Sequence, residues 1–140
     1  MEAIVKLNRW ANEHTNIGTD VLRVLFGAFI FYKGVSFLDE TEYLTEILPG
    51  GGSEGIYFIL VHYVALAHIC GGLFITMGLL TRICSLLQFP ILLGAIAVNF
   101  TGTMDYSNLI MACAALGFCV CFIFYGSGKH SVDYSLKLNM

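Results

Sequence analysis

Lys33, His62, His68, Asn99 and Tyr106 are the residues of this chain best suited to bind or protonate a polar ligand, and each falls in or beside a strongly apolar stretch. Ammonium, imidazole, amide and phenol groups all donate hydrogen bonds, and imidazole also exchanges protons near neutral pH. In hydrocarbon such groups are costly, face the bundle interior and mark functional positions. "VHYVALAHICGG" is the sharpest case, because no Asp, Glu, Lys or Arg occurs between Gly55 and Leu80, yet two histidines do. A helix that enters at Gly55 carries His62 about 10 Å below its outer end and His68 to near mid-membrane. Around the helix axis the two are some 120° apart, so they meet different neighbours.

The elements that must hold these groups are four apolar segments, each near the twenty residues that cross a bilayer. They run over residues 20–38, 55–80, 82–100 and 106–125. The 140-residue chain is 57% hydrophobic and 12% charged, far from the quarter of charged residues in an ordinary soluble domain. It reads as a single membrane domain over residues 1–140. The expected fold is all-α, an integral membrane up-down four-helix bundle, because short connections make successive segments antiparallel neighbours. Pro90 inside the third segment predicts a kink. "MEAIVKLNRWANEHTNIG" has Ile4, Leu7, Trp10 and Ala11 at helical spacing, which predicts an N-terminal interfacial amphipathic helix over residues 1–17. It does not read as a cleaved signal peptide. Another short surface helix is expected around residues 40–48, ended by Pro49 and the glycines after it.

With four crossings both termini share one side. Lys6, Arg9, Arg23, Arg82, Lys129 and Lys137 then lie on the terminal side, against Lys33 toward the other. The positive-inside rule therefore places both termini, with a tail over residues 126–140, in the cytoplasm of a bacterial inner membrane. The outer side carries Asp39, Glu40, Glu42, Glu46, Glu54 and Asp105. On this topology Lys33, with Tyr32 beside it, lies level with His62, Asn99 reaches the same outer zone, and Asp105, Tyr106 and Asn108 open the fourth segment there, which gives a ligand pocket open to the outer leaflet. Bland uses compete: Lys33 snorkelling to headgroups, the histidines and Gln88 or Thr76 bonding between helices, Asn99 and Tyr106 serving as cap and interfacial belt. Arg23 and Arg82 are expected on the cytoplasmic side, Arg23 paired with Asp20 or with phospholipid headgroups and Arg82 in contact with a partner carboxylate or lipid phosphate. Arg82 starts a helix, where the dipole disfavours a cation.

A net charge of -3 with seven scattered basic residues excludes nucleic acid as a partner. Five cysteines sit in apolar segments without a C-x-x-C pair and read as small hydrophobes; Cys84 with Cys121 is the alternative, a cross-helix redox pair. Ala67, Gly71, Gly72 and Gly78 suit close helix approach. No metal site is expected. Haem b is disfavoured, since its two axial histidines would both have to come from one helix.

"RVLFGAFIFYKGVSFL", "GGLFITMGLLTRICSLL" and "GSGKHSVDY", in this order and spacing, make the chain resemble the DoxX/DoxD-like family of small four-helix membrane proteins. On that pattern fall Arg23, Gly27, Gly34, Gly71, Gly72, Gly78, Thr81, Arg82, Ser131 and Asp133. His68 stands where family members often carry an acidic residue. The resemblance implies a membrane oxidoreductase subunit or accessory, linked in some relatives to quinone-dependent sulfur oxidation and in others to defence against oxidants, catechols or quinones. A quinone headgroup would suit the donors Lys33, His62, Asn99 and Tyr106. The sequence shows no flavin, iron-sulfur or dithiol motif, so no intrinsic cofactor is expected, and the chain is at most a subunit that needs partner proteins. The alternative is a non-catalytic membrane anchor or assembly subunit. Either reading has the lipid bilayer and a membrane complex as surroundings and is compatible with a homo-oligomer.

Overall fold

A computed structural model of the chain describes residues 16–39, 54–100, 104–128 and 131–135. The regular elements are all helices: α1 (Ile17–Asp39), α2 (Glu54–Met77), α3 (Thr81–Asn99), α4 (Tyr106–Tyr125) and a single turn, α5 (Val132–Ser135). The first four are long and apolar enough to cross a membrane. The expected interfacial helix over residues 1–17 lies almost wholly outside the described residues, as does the surface helix around residues 40–48.

Local chemistry explains the helix ends. The carboxylate of Asp105 caps α4, accepting the backbone N–H of Ser107 at 2.9 Å and of Asn108 at 3.3 Å. α2 stops at Met77, three residues before the expected end, because Gly78 turns into the left-handed region at φ 71° and Leu80 follows at φ 49°. Glycine adopts that conformation without cost, whereas leucine does so against its Cβ. α3 continues across Pro90 as one helix.

The helices pack as two closely joined pairs, α1 with α2 and α3 with α4, linked through α2 and α3, while α1 and α4 meet only slightly. Glycines fix the first pair. A Cβ added at Gly27 would collide with Thr76, one at Gly72 with the backbone of Phe31, and one at Gly34 would lie 2.8 Å from both His68 Cβ and Ile69 N. These contacts run antiparallel and let the two backbones touch, as membrane helices must where no hydrophobic effect drives association. They also stagger the pair: the first turns of α1 extend past the end of α2, and the first turns of α2 extend past the end of α1.

At the centre lie Phe26, Ile30, Ile75, Cys84, Leu92, Ala115, Cys119 and Phe122. Phe26 stacks on Phe122 with ring centroids 5.7 Å apart and touches Phe118 at 6.0 Å, so α1 and α4 make aromatic contact in the half of the bundle nearer the chain ends. Leu25, Ile59, Leu66, Leu86 and Ile110 point outward, as suits side chains whose solvent is lipid.

Candidate functional site

Among the described residues, interior and capping polar side chains gather in three groups between the loop face, where α3 ends and α4 begins, and the terminal face, where α1 begins and α4 ends. At the loop face Asn99 Oδ1 accepts the backbone N–H of Asp105 at 3.0 Å, which ties the end of α3 to the cap of α4. One turn into α4, Asn108 Oδ1 accepts a hydrogen bond from Lys33 Nζ at 3.5 Å. Tyr106 is exposed beside this cap and Tyr32 is exposed next to Lys33. Lys33, Asn99, Tyr106 and Asn108 are thus gathered around the start of α4, as the cluster expected from sequence has them.

The backbone of Lys33 does not share the level of His62. The contacts of Gly34 with His68 and Ile69 place Lys33 opposite the neighbourhood of Cys70. His62 lies eight residues farther along α2, a rise of about 12 Å. It is exposed in the first turn of the apolar span that begins at Ile59. The equal depth expected of the two residues came from counting inward from the segment ends, and the stagger of α1 against α2 makes that count invalid. The Lys33 stem bridges its own difference in height, running toward the loop face to reach Asn108.

Deeper in, His68 is buried, and its Nδ1 lies 3.1 Å from the carbonyl oxygen of Val64 in the same helix. A carbonyl only accepts, so Nδ1 carries a proton and donates it there. Its Cβ abuts Gly34 of α1. The interhelical bond expected of Gln88 is present, Nε2 donating to Ala67 O at 2.6 Å, whereas Thr76 Oγ1 turns back to Gly72 O of its own helix at 2.8 Å. All five cysteines are free thiols, with Cys84 buried and Cys121 exposed, so the cross-helix pair is not formed.

The third group clasps the terminal face. Asp133 accepts the backbone N–H of Leu80 at 3.0 Å, and its own N–H donates to Gly78 O at 3.2 Å. Ser131 Oγ donates to Gly128 O at 2.7 Å and accepts the N–H of Tyr134 at 3.1 Å, shaping the turn that presents Asp133. Of the two partners expected for Arg23, Asp20 is the one it meets, but the side chain is only 3% exposed rather than open to headgroups. It lies 3.8 Å from Asp20, in the field of Asp133, and against Gly78, where a Cβ would overlap its guanidinium. The stagger of the helices brings it there, since the start of α1 runs on beneath the α2–α3 turn. Arg82 Nη2 donates to Phe124 O at 3.1 Å and lies against Gly126. Its position at the start of α3 is therefore offset by a favourable one at the negative end of α4. Asp133 was visible in the sequence only through the family pattern of its segment; nothing local marks it as the partner of a turn fifty-three residues earlier.

A family model described as DoxX matches residues 18–102. Among curated proteins, "Putative oxidoreductase CatD" of Bacillus subtilis (strain 168) is 30% identical over 105 residues, which cover 71% of this chain and 76% of the relative. No solved structure matches the chain.

Proposed function

The chain belongs to the DoxX family of multi-pass membrane proteins, and from that premise we propose that it is a membrane subunit of a quinone-linked redox system that holds a quinone or similar ring at the α1–α4 seam. One observation carries the reading: Lys33 reaches across two helices to Asn108, in the half of the bundle away from the Phe26–Phe122 stack. An ammonium has three N–H donors and Asn108 uses one of them, so two remain to offer to a ring carbonyl, with the Asn108 amide beside them. The seam opens to lipid, from which a quinone would enter without crossing water. The name of the Bacillus subtilis relative supports the redox class. Electrons come from a partner protein, and the quinone takes up two electrons and two protons to become quinol.

The test is lipid extraction from gently purified protein with mass detection of quinones. Wild type is expected to retain quinone near one per chain, and Lys33→Ala to lose most of it while staying folded. If several mild detergents yield no quinone, the ligand assignment fails and a purely anchoring subunit takes its place.

The orientation belongs to the same proposal: both termini in the cytoplasm of a bacterial inner membrane, with the quinone site in the outer leaflet. It rests on the excess of Lys and Arg on the terminal side. Alkaline phosphatase fused after Met140 is expected to be inactive and a fusion after Gly51 active. The reverse pattern overturns the orientation.

A further inference from the structure

The buried face of α3 carries three oxygen atoms that no other group in the described residues satisfies. They are Thr81 Oγ1, Ser85 Oγ and Gln88 Oε1. Their side chains are 1%, 0% and 0% exposed, so neither lipid nor bulk water reaches them from outside. Their spacing of four and then three residues keeps them within roughly 60° on one stripe, with axial rises of about 6 Å and 4.5 Å. The stripe begins at the terminal face, where Asp133 holds Leu80, and runs about 10 Å inward to the point where Gln88 abuts Gly71.

A buried hydroxyl or amide oxygen without a partner costs roughly 1–3 kcal/mol. Three on one stripe, each about one turn from the next, point to a shared partner. The neighbouring polar atoms are already committed: Gln88 Nε2 to Ala67 O, and Ser85 O to the thiol of Cys119 at 2.9 Å. What remains on offer is a row of small oxygens about one water diameter apart. One water, bonded at ~2.8 Å on each side, spans about 5.5 Å between two oxygens, close to both rises. Ordered water in protein interiors occupies sites of this kind, polar and with two or more partners.

We propose that the buried face of α3 holds a file of bound water running from the terminal face past Thr81 and Ser85 to Gln88, near the middle of the bilayer. Thr81 Oγ1 and Ser85 Oγ each accept one hydrogen bond from the file and donate another, and Gln88 Oε1, which only accepts, ends it. The water file does not depend on the proposed function.

Hydroxyl-radical footprinting by brief X-ray exposure of the whole protein in detergent tests it, because radicals form from bound water and oxidise the nearest thiol. Cys119, 0% exposed and bonded to Ser85 O, is the reporter, and Cys113 on the lipid face is the reference. Cys119 is expected to oxidise several-fold faster than Cys113, and Ser85→Ala and Gln88→Met each to bring it down toward the reference rate. Helical circular dichroism and gel filtration check that the variants are folded. A wild-type Cys119 no faster than Cys113 overturns the proposal without any variant. A fast Cys119 that neither substitution slows overturns it too, since the water would then be held by other groups. Loss of quinone in the extraction experiment leaves both outcomes readable.

Discussion

Asp133→Ala is expected to destabilise the bundle by roughly 3 kcal/mol, although the residue lies outside every membrane span. Two losses add up. The N–H of Leu80, held in the left-handed region at φ 49°, loses its acceptor in a buried turn. Such an orphaned donor costs about 1–3 kcal/mol. Arg23, 3% exposed, at the same time loses one of the two carboxylates that offset its burial, and breaking up a buried charge set is among the more costly single changes. Asp133→Asn separates the two, because an amide oxygen still accepts from Leu80 but brings no charge; about half the loss is expected to return. The measurement is SDS-driven unfolding in mixed micelles, followed with a thiol-reactive dye that reads the release of buried Cys84 and Cys119. If alanine and asparagine variants unfold together with wild type, the terminal clasp carries no stability. The segment after α4 would then be an ornament on the bundle.

That clasp shows where sequence reading ends. The four spans were legible because a bilayer demands about twenty apolar residues per crossing, and α4 begins and ends at the residues the hydropathy pattern marks. The short loops made the neighbours antiparallel by geometry alone. What the sequence conceals is the relative height of the helices. Register within a membrane bundle is set by which small residues let two backbones touch, and Gly27, Gly34 and Gly72 set it for α1 and α2. Counting depth from the segment ends put Lys33 level with His62. The glycine contacts separate them by about two turns and pull Arg23 from the surface into a buried site. The seven-residue spacing of Gly27 and Gly34 on one face of α1 was the available clue. Asn108, which completes the Lys33 contact, reads in sequence as one of the polar residues that open the fourth span in the same outer zone, though not as the particular partner of Lys33. Thr81, Ser85 and Gln88 lie on one stripe by simple counting, but only packing shows that their oxygens go unsatisfied.

Gly72→Val is expected to be the most damaging single substitution in the spans, costing ~3 kcal/mol or more. Even the first added carbon collides with backbone: Phe31 N and, at 2.8 Å, both Gly27 O and Phe31 Cα. A flexible side chain could yield to such a contact, but helix backbone moves only if α1 and α2 part along their length. Gly72→Ala therefore already carries much of the penalty, and the branched side chain adds to it. Gly94→Ala and Gly117→Ala are the controls, since nothing lies within 4 Å of either position. Both are expected to be neutral or slightly stabilising, by up to ~1 kcal/mol, through alanine's better helix propensity. The SDS titration that reads Asp133 reads these four variants as well. A Gly72→Ala variant as stable as Gly94→Ala would mean that α1 and α2 are not in backbone contact, and the height assigned to Lys33 would lose its footing. A bundle that survives with the two helices parted is expected instead to lose its quinone, because displacing α1 draws the Lys33 ammonium away from Asn108, whose position is fixed by the Asp105 cap on α4.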